Sequence, residues 1–528
     1  MTYMANLHVL VLGLGASGLA MARWCARHGA QVRVWDSRVE PPQAAALREA
    51  VPAVELISGS LTAGHLAGVQ MLLKSPGLAP ADVRIAPVMD AARAAGLVIG
   101  GELDLFARAL ADLKAERGYA PKVLAVTGTN GKTTVTAMTT LLVARCGLRV
   151  AAAGNIGPTM LDTLAEALDR EPVAMAQPPA APVFTHLPEV WVLELSSFQL
   201  DGVSGFEPSA ATVLNISQDH LDWHGAMDAY AAAKARIFGE QAVMVVNRDD
   251  PRVEAMVPAA LPVKGGRGKP NRQVGRKVVR FGLAAPQCPG DFGLVVDNGM
   301  AWLVRAREAD ETLKRRQGED EEINLQRLMP ADALRIRGRH NAANALAALA
   351  LATAVGCPLN ALLHGLREYH GEPHRVAFIA SVGGIEAYDD SKGTNVGATV
   401  AALLGLGADK APSKLVVILG GDGKGQDFSP LATPVAQHAR AVALIGRDAG
   451  AIEAALLANA AAAAVPRQHH ASLDAAVAWC FARAQPGDAV LLSPACASLD
   501  MFRNYGHRAE VFVAAVQALA AERGEALA

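Results

Sequence analysis

The chain has 528 residues, enough for about three or four domains at roughly 150 residues each. With 51% hydrophobic and only 19% charged residues it can bury substantial cores, which excludes disorder as the main state. The balance of 49 Lys and Arg against 51 Asp and Glu, 49 − 51 = −2, gives no global positive field and argues against nucleic acid as a partner.

Short apolar runs alternate with Ala/Leu-rich stretches of helical period from end to end, the mark of an α/β fold with parallel sheets. The first run, HVLVLGLGASG at residues 8–18, carries Gly13, Gly15 and Gly18, and Asp36 follows the next apolar run. This fits the dinucleotide fingerprint, although any ligand with a diphosphate and a ribose could use it. The apolar stretch 7–22 has no Lys or Arg before it, is broken by those glycines and falls short of the ~20 residues a membrane span needs. It reads as a buried strand and turn. Six scattered cysteines without a CxxC pair or Cys/His cluster agree with a reducing, cytoplasmic setting.

Residues 100–121 read as a first junction, and KVLAVTGTNGKTT at 122–134 opens a second sheet. Its Gly128, Thr129, Asn130, Gly131, Lys132, Thr133 and Thr134 lie between an apolar strand and a helical stretch. Backbone N–H groups there converge on phosphate oxygens at a helix N-terminus, Lys132 reaches the β/γ-phosphates and the Thr133 hydroxyl can bind Mg²⁺. The strict GxxxxGK[ST] pattern wants glycine where this chain has Val126, so the loop is a variant; a Gly-rich turn is the plain alternative.

Five prolines between 171 and 189 predict a surface loop. WVLELSSFQL then supplies Glu194 at the end of an apolar strand, a position from which a carboxylate can hold metal; an edge-strand Glu facing water is the bland alternative. His220, flanked by Asp219 and Asp222 after the apolar run 211–216, resembles a solvated loop when taken alone. Lys234, in AYAAAKARIF, reads as an ordinary surface lysine. Seven basic residues between 264 and 280 and the acidic run 319–322 read as solvated, mutually balancing charge, with a nucleic-acid or anionic-lipid patch as the sharper alternative for the basic run. Asn341 and Asn344 open a long Ala/Leu helix on one face, where N-capping would account for one of them.

Residues 366–375, with Gly and Pro, read as a second junction. Beyond it lie DDSKGTN at 389–395, KLVVILGGDGKG at 414–425 and SPACAS at 493–498, whose plain reading is turns rich in Gly, Asp and Ser. Three domains follow, at 1–100, 101–370 and 371–528, with insertions near 171–189 and 264–325 in the middle one.

Together these motifs resemble the Mur ligases of peptidoglycan synthesis nearly end to end, outside the two insertions. TGTNGKTT is similar to the family's ATP loop, while DDSKGTN, GGDGKG and SPACASLDMF resemble its D-glutamate-adding branch. The resemblance implies a Rossmann-like N-terminal domain, a P-loop-type central ATPase domain and a Rossmann-like C-terminal domain. It implies a cytoplasmic, monomeric enzyme that uses ATP and two Mg²⁺ to join UDP-N-acetylmuramoyl-L-alanine to D-glutamate.

Residue by residue, it assigns Gly15, Ala16, Asp36, Ser37 and Arg38, with Ser75, Pro76 and Gly77, to the UDP moiety, and Asn155 to the same substrate. Lys132 and Thr133 take the ATP and Mg²⁺ positions. Glu194 and His220 become metal ligands, and Lys234 the family's carbamylated lysine, an anion able to hold the second Mg²⁺. Asn341, Asn344, His374, Arg375 and Asp390 match the remaining ATP contacts; Lys392, Thr394, Lys424, Ser498 and Tyr505 match the D-glutamate pocket. Tyr505 stands where the family has Phe, and Gln218 where it has an acid. The alternatives are a sibling ligase adding another amino acid and, in another class, an NAD-dependent Rossmann oxidoreductase using Gly13–Gly18.

Overall fold

The computed structural model describes residues 2–172, 183–263, 272–309 and 322–525. They gather into two compact units, one of Met1–Ile216, His220–Phe281 and Ala347–Gly365, the other of Ser217–Asp219, Gly282–Leu346 and Leu366–Ala528.

The first unit carries two parallel sheets. Strands β1 (His8–Leu12), β2 (Gln31–Asp36), β3 (Glu55–Ser58), β4 (Met71–Lys74) and β5 (Val98–Gly100) form one in the order β3-β2-β1-β4-β5. The order reverses between β1 and β4, and ligands of doubly wound sheets bind outside the strand carboxyl ends at such a switch point. The second sheet uses β6 (Lys122–Thr127), β7 (Val150–Gly154), β8 (Val190–Glu194), β9 (Ala210–Val213), β10 (Val243–Asn247) and β13 (Val278–Phe281), in the order β13-β10-β9-β6-β8-β7. Between β10 and β13 lies a small antiparallel pair, β11 (Leu261–Val263) and β12 (Arg272–Val274).

No open linker separates the two sheets. Residues 100–121 contain the helix Glu102–Arg117, whose Leu103, Phe106, Ala109 and Leu113 recur at helical spacing and are buried. Phe106 meets Trp191 of β8 edge-on at 5.0 Å, and both belong to one core cluster that continues to Trp24 of the helix Ala16–Arg27. Each such side chain contributes roughly 2–3 kcal/mol by leaving water. The junction expected at residues 100–121 is therefore a packed helix, because its apolar face has a core on both sides.

The second unit holds an antiparallel meander, β14 (Phe292–Asp297), β15 (Met300–Glu308) and β16 (Ile323–Pro330), and a six-stranded sheet. The latter runs β17-β18-β22-β19-β20-β21, with β17 (Ala377–Val382) antiparallel to β18 (Ile385–Asp389). The other strands, β19 (Leu415–Gly420), β20 (Ala439–Ile445), β21 (Arg467–His469) and β22 (Ala489–Leu492), are parallel.

The expected insertions are only partly within view. Residues 173–182, 264–271 and 310–321 lie outside the described residues, and with them the centre of the proline-rich stretch, the first three of the seven basic residues and most of the acidic run. The end of the basic run is not a solvated loop: β13 pairs with β10, Arg276 donates to the carbonyls of Phe238, Gly239 and Ala242, and Arg280 pairs with Glu254. Among the described residues no helix is long and apolar enough to cross a membrane.

Candidate active site

Strand β6 ends at Thr127 and the helix Lys132–Arg145 begins five residues later, so the four residues 128–131 form the predicted phosphate-type turn. Val126, where the strict motif wants glycine, is fully buried in β6. The loop is pinned from outside by Asn215. Thr129 N–H donates to the Asn215 carbonyl at 2.9 Å, Asn130 N–H to Asn215 Oδ1 at 2.8 Å, and Asn215 Nδ2 returns a bond to the Asn130 carbonyl at 3.1 Å. Lys132 Nζ arches back to the carbonyls of Gly128 and Thr129, at 2.9 and 2.8 Å. Thr133 and Thr134 occupy the first helical turn. The reading of the sequence missed Asn215, whose only signal is its place directly after an apolar strand in the same domain as the loop.

Glu194 ends β8, an interior strand between β6 and β7, and is 3% exposed. The edge-strand alternative therefore fails. Its Oε1 accepts from Asn155 Nδ2 at 2.9 Å, while Oε2 is buried with no hydrogen-bond partner among the described residues. An uncompensated buried carboxylate oxygen is costly, and a hard cation that takes oxygen ligands fits it.

Lys234 is 2% exposed, which overturns its reading as a surface lysine. The helix Met227–Ala235 buries Tyr230, Ala233 and Lys234 on one face, spaced i, i+3, i+4. From there Lys234 Nζ donates to the Gly128 carbonyl at 2.8 Å and to Thr127 Oγ1 at 3.2 Å, and lies 4.8 Å from the Tyr230 ring centroid. His220 precedes the short helix Leu221–His224 in left-handed backbone, φ 53°, with its ring 4.7 Å from that of Phe198. Among the described residues no three His, Cys, Asp or Glu side chains converge as a metal cluster, so the expected ligand set leans on Thr133 and on a modified Lys234 as well as Glu194 and His220.

At the β1/β4 switch point lies a cavity of about 500 Å³ lined by Gly15, Ala16, Asp36, Ser37, Arg38, Ser75 and Gly77, the residues expected there from the sequence. A Cβ on Gly18 would sit 1.9 Å from the Gly13 carbonyl oxygen, so only glycine lets the helix Ala16–Arg27 begin this close to β1. Asp36 accepts from Arg38 and from the Leu14 N–H at 2.7 Å, and the Arg38 hydrogen bond leads in pulling its carboxyl down to about 2 despite burial. Asn155 is not on this cavity; it is placed against Glu194 through both its backbone and its amide.

In the second unit, Asn341 and Arg375 share a cavity of about 530 Å³ with Arg337, Glu386 and Tyr388. Asn341 is not an N-cap: it lies inside the first turn of the helix Arg339–Ala354 and donates to the Arg337 carbonyl at 2.7 Å, while Asn344 Nδ2 donates to Asn341 Oδ1 at 3.0 Å. His374 Nδ1 and Asp389 Oδ2 are 2.6 Å apart. The Asp390 carboxylate accepts from Ser493 Oγ at 2.6 Å, and burial pushes it up to about 7.

The residues expected around D-glutamate come from three loops that the structure ties together. Lys392 Nζ stands 3.7 Å from the Tyr505 ring centroid, a contact that phenylalanine would also provide. Asp422 and Ala497 exchange backbone hydrogen bonds, which brings the loop of Lys424 beside that of Ser498. Thr394 follows Lys392 in a tight turn closed by its N–H to the Lys392 carbonyl at 2.8 Å. The fully buried Arg508, also missed by the sequence reading, braces them: it donates to Ser391 Oγ at 3.0 Å, to the Ser391 carbonyl at 2.8 Å and to the Cys496 carbonyl at 3.1 Å. An arginine in an Ala/Val-rich helix gives only the signal that it needs acceptors if its face is buried.

Three family descriptions match the chain: Mur ligase MurD-like N-terminal domain over residues 7–100, Mur ligase middle domain over 126–266, and Mur ligase glutamate ligase domain over 374–496. A UDP-N-acetylmuramoylalanine–D-glutamate ligase of Albidiferax ferrireducens is 60% identical over 528 residues, spanning 100% of this chain and 99% of its own. A Polaromonas protein of the same name is 52% identical, with both chains fully covered. Among solved structures, UDP-N-acetylmuramate-alanine ligase from Thermotoga maritima superposes with a TM-score of 0.52 at 17% identity, covering 97% of this chain and 100% of that one, a likeness of fold.

Proposed function

Because the chain belongs to the Mur ligase family, we propose that it joins D-glutamate to UDP-N-acetylmuramoyl-L-alanine at the expense of ATP, a step in making peptidoglycan precursors. The observation that carries the reading is a phosphate-type loop bearing Lys132 beside a buried Glu194 oxygen without a partner among the described residues, in a chain 60% identical along its whole length to a ligase of that name.

A carboxylate is a poor electrophile, so the reaction first moves the γ-phosphoryl of ATP onto the L-alanyl carboxylate. The D-glutamate amine then attacks the acyl phosphate carbonyl, a tetrahedral intermediate collapses and phosphate leaves. On this reading residues 128–134 cradle the ATP phosphates through backbone N–H groups, and Lys132 leaves its own loop carbonyls to meet the transferring phosphoryl. Asn341, Asn344, Arg375 and Asp390 hold the rest of the nucleotide. The cavity at Gly15, Asp36 and Ser75 takes the UDP end of the substrate. Lys392 and Lys424 pair with the glutamate carboxylates, with Thr394, Ser498 and Tyr505 around them.

Thr133, Glu194, His220 and a carbamylated Lys234 would hold Mg²⁺, which when bound neutralises charge on the phosphates. The partnerless Glu194 oxygen supports that set, and so does the burial of Lys234 against the loop. The chain works as a monomer in the cytoplasm.

The test is phosphate release from ATP in the presence of UDP-N-acetylmuramoyl-L-alanine and a panel of D- and L-amino acids. D-Glutamate alone is expected to give signal. Signal with a different amino acid only would make the chain a sibling ligase, and NAD binding without any ATP turnover would favour the oxidoreductase.

A further inference from the structure

Lys74 is the last residue of β4 and the only polar one in a strand of Met71, Leu72 and Leu73, directly before the substrate loop Ser75, Pro76, Gly77. Its Nζ reaches forward over that loop and donates to the Leu78 carbonyl at 2.8 Å. Ser75 Oγ holds the loop's other end by donating to the Gly13 carbonyl at 2.8 Å. The same ammonium faces the ring of Trp223, 5.5 Å from its centroid. Trp223 belongs to the turn of His220, and both rings pack on Phe198, each at 4.7 Å. Lys74 thus touches the sugar-nucleotide loop with one contact and the His220 turn with another.

The surroundings make this cation more than a surface tether. It stands on the wall of a second cavity, about 420 Å³, which shares Pro76 with the sugar-nucleotide cavity and reaches Phe198. The charged groups facing it there are Asp201, Asp104, Glu102 and Arg93. Burial pulls Lys74 down to about 8, against the opposing pull of Asp201.

We propose that Lys74 is a positioning residue for the UDP-substrate, fixing the loop of residues 75–78 through the Leu78 carbonyl and tying it to the His220 turn through the Trp223 ring. This rests on the function proposed above and names the residue that sets the substrate loop. As an ammonium it offers three donors and a full charge to the aromatic face; as a neutral amine it loses the cation–π contact and weakens the hydrogen bond. Substrate affinity therefore falls as pH rises through about 8, the value to which burial brings this lysine.

The experiment compares the full-length wild type with Lys74→Met and Lys74→Arg by steady-state phosphate release, varying UDP-N-acetylmuramoyl-L-alanine, ATP and pH. Losing a charged hydrogen bond costs roughly tenfold or more, so Lys74→Met should raise KM for the UDP-substrate about tenfold while kcat and the KM for ATP stay within about twofold. The wild type should lose kcat/KM for the UDP-substrate above pH ~8. Lys74→Arg, which keeps its charge throughout, should recover most of the affinity and lack that descending limb. An unchanged KM in Lys74→Met, or a limb that persists in Lys74→Arg, overturns the proposal. Should Lys74→Met not fold, the wild-type and Lys74→Arg pH profiles decide it alone. Absence of any UDP-substrate-dependent phosphate release from the wild type would instead defeat the ligase reading itself.

Discussion

At the scale of single residues, the site is a set of charges placed where folding alone gives little reason to keep them. Lys132 spends its donors on two carbonyls of its own loop, an arrangement an incoming phosphate can replace without moving the backbone. Lys132→Ala should therefore melt like the wild type yet lose about 10²- to 10³-fold in kcat, the usual cost of removing one donor aimed at developing charge. A near-normal rate of phosphate release would refute the loop's assignment. Lys234 sits deeper, and truncating it leaves a hole beside Gly128 that a small anion can fill. Lys234→Ala should be inactive and partly recovered by a short carboxylic acid, whereas an intact-mass spectrum under bicarbonate with only unmodified lysine would count against the carbamate. Asp390 tests the electrostatics without any substrate. Its carboxyl is raised from 3.8 to about 7, so the unfolded chain ionises first and the folded state loses stability as pH climbs between those values. Three pH units correspond to about 4 kcal/mol at most. Asp390→Asn should gain in thermal stability over the wild type progressively from pH 5 to 7 and level off above; no pH dependence in that gain would remove the buried, reluctant ionisation from the account.

At the scale of elements, what could be read from the chain was what repeats or clusters. The runs HVLVL, KVLAVT and LVVILG are apolar on both faces and became interior parallel strands, and in the first two the Gly-rich turn that follows sets a helix over the strand end. Asp36 was legible from the dinucleotide fingerprint, while Ser75 and Gly77 came from the family resemblance; the structure collects all three on one cavity. Lys234 was not, because an alanine-rich helix carries no apolar stripe from which to tell its inner face. The strand Val278–Phe281 was hidden by its basic neighbours, of which Arg276 bonds backbone carbonyls and Arg280 pairs with Glu254. The register of neighbouring strands matters as much as their existence. Gly154 ends β7 opposite Glu194, at φ 120°, and a Cβ there would lie 2.2 Å from the Glu194 carbonyl oxygen. Backbone cannot yield as a side-chain tip does, so Gly154→Ala should cost about 2–4 kcal/mol in stability from strain and overpacking. It should also lower activity in whatever fraction still folds, since it displaces Glu194. An unaltered melting temperature would mean that β7 and β8 are not held in this register.

At the scale of the whole molecule, the groups assigned to the reaction are divided between two compact units. Lys132, Glu194, His220 and Lys234 belong to one, and Arg375, Asp390, Lys392 and Lys424 to the other. The sequence pointed to a single hinge at residues 366–375, and the boundary at Gly365/Leu366 falls at its edge. The chain also crosses between units after Phe281 and within the helix Arg339–Ala354, so a change in their arrangement has to be absorbed at several places at once. A near-neutral sum of −2 conceals this division, because each unit must supply its own cations to anionic substrates. On the function proposed above, the phosphoryl group has to meet both Lys132 and Arg375, which belong to different units. Binding energy from ATP and the UDP-substrate is then available to favour the arrangement in which the two sets act together, the usual logic of domain closure in transferases. Small-angle scattering should show a smaller radius of gyration with a non-hydrolysable ATP analogue and UDP-N-acetylmuramoyl-L-alanine together than with neither, and less change with either alone. An identical radius in all four states would mean that the ligands find both units already in place, and closure would have no part in the rate.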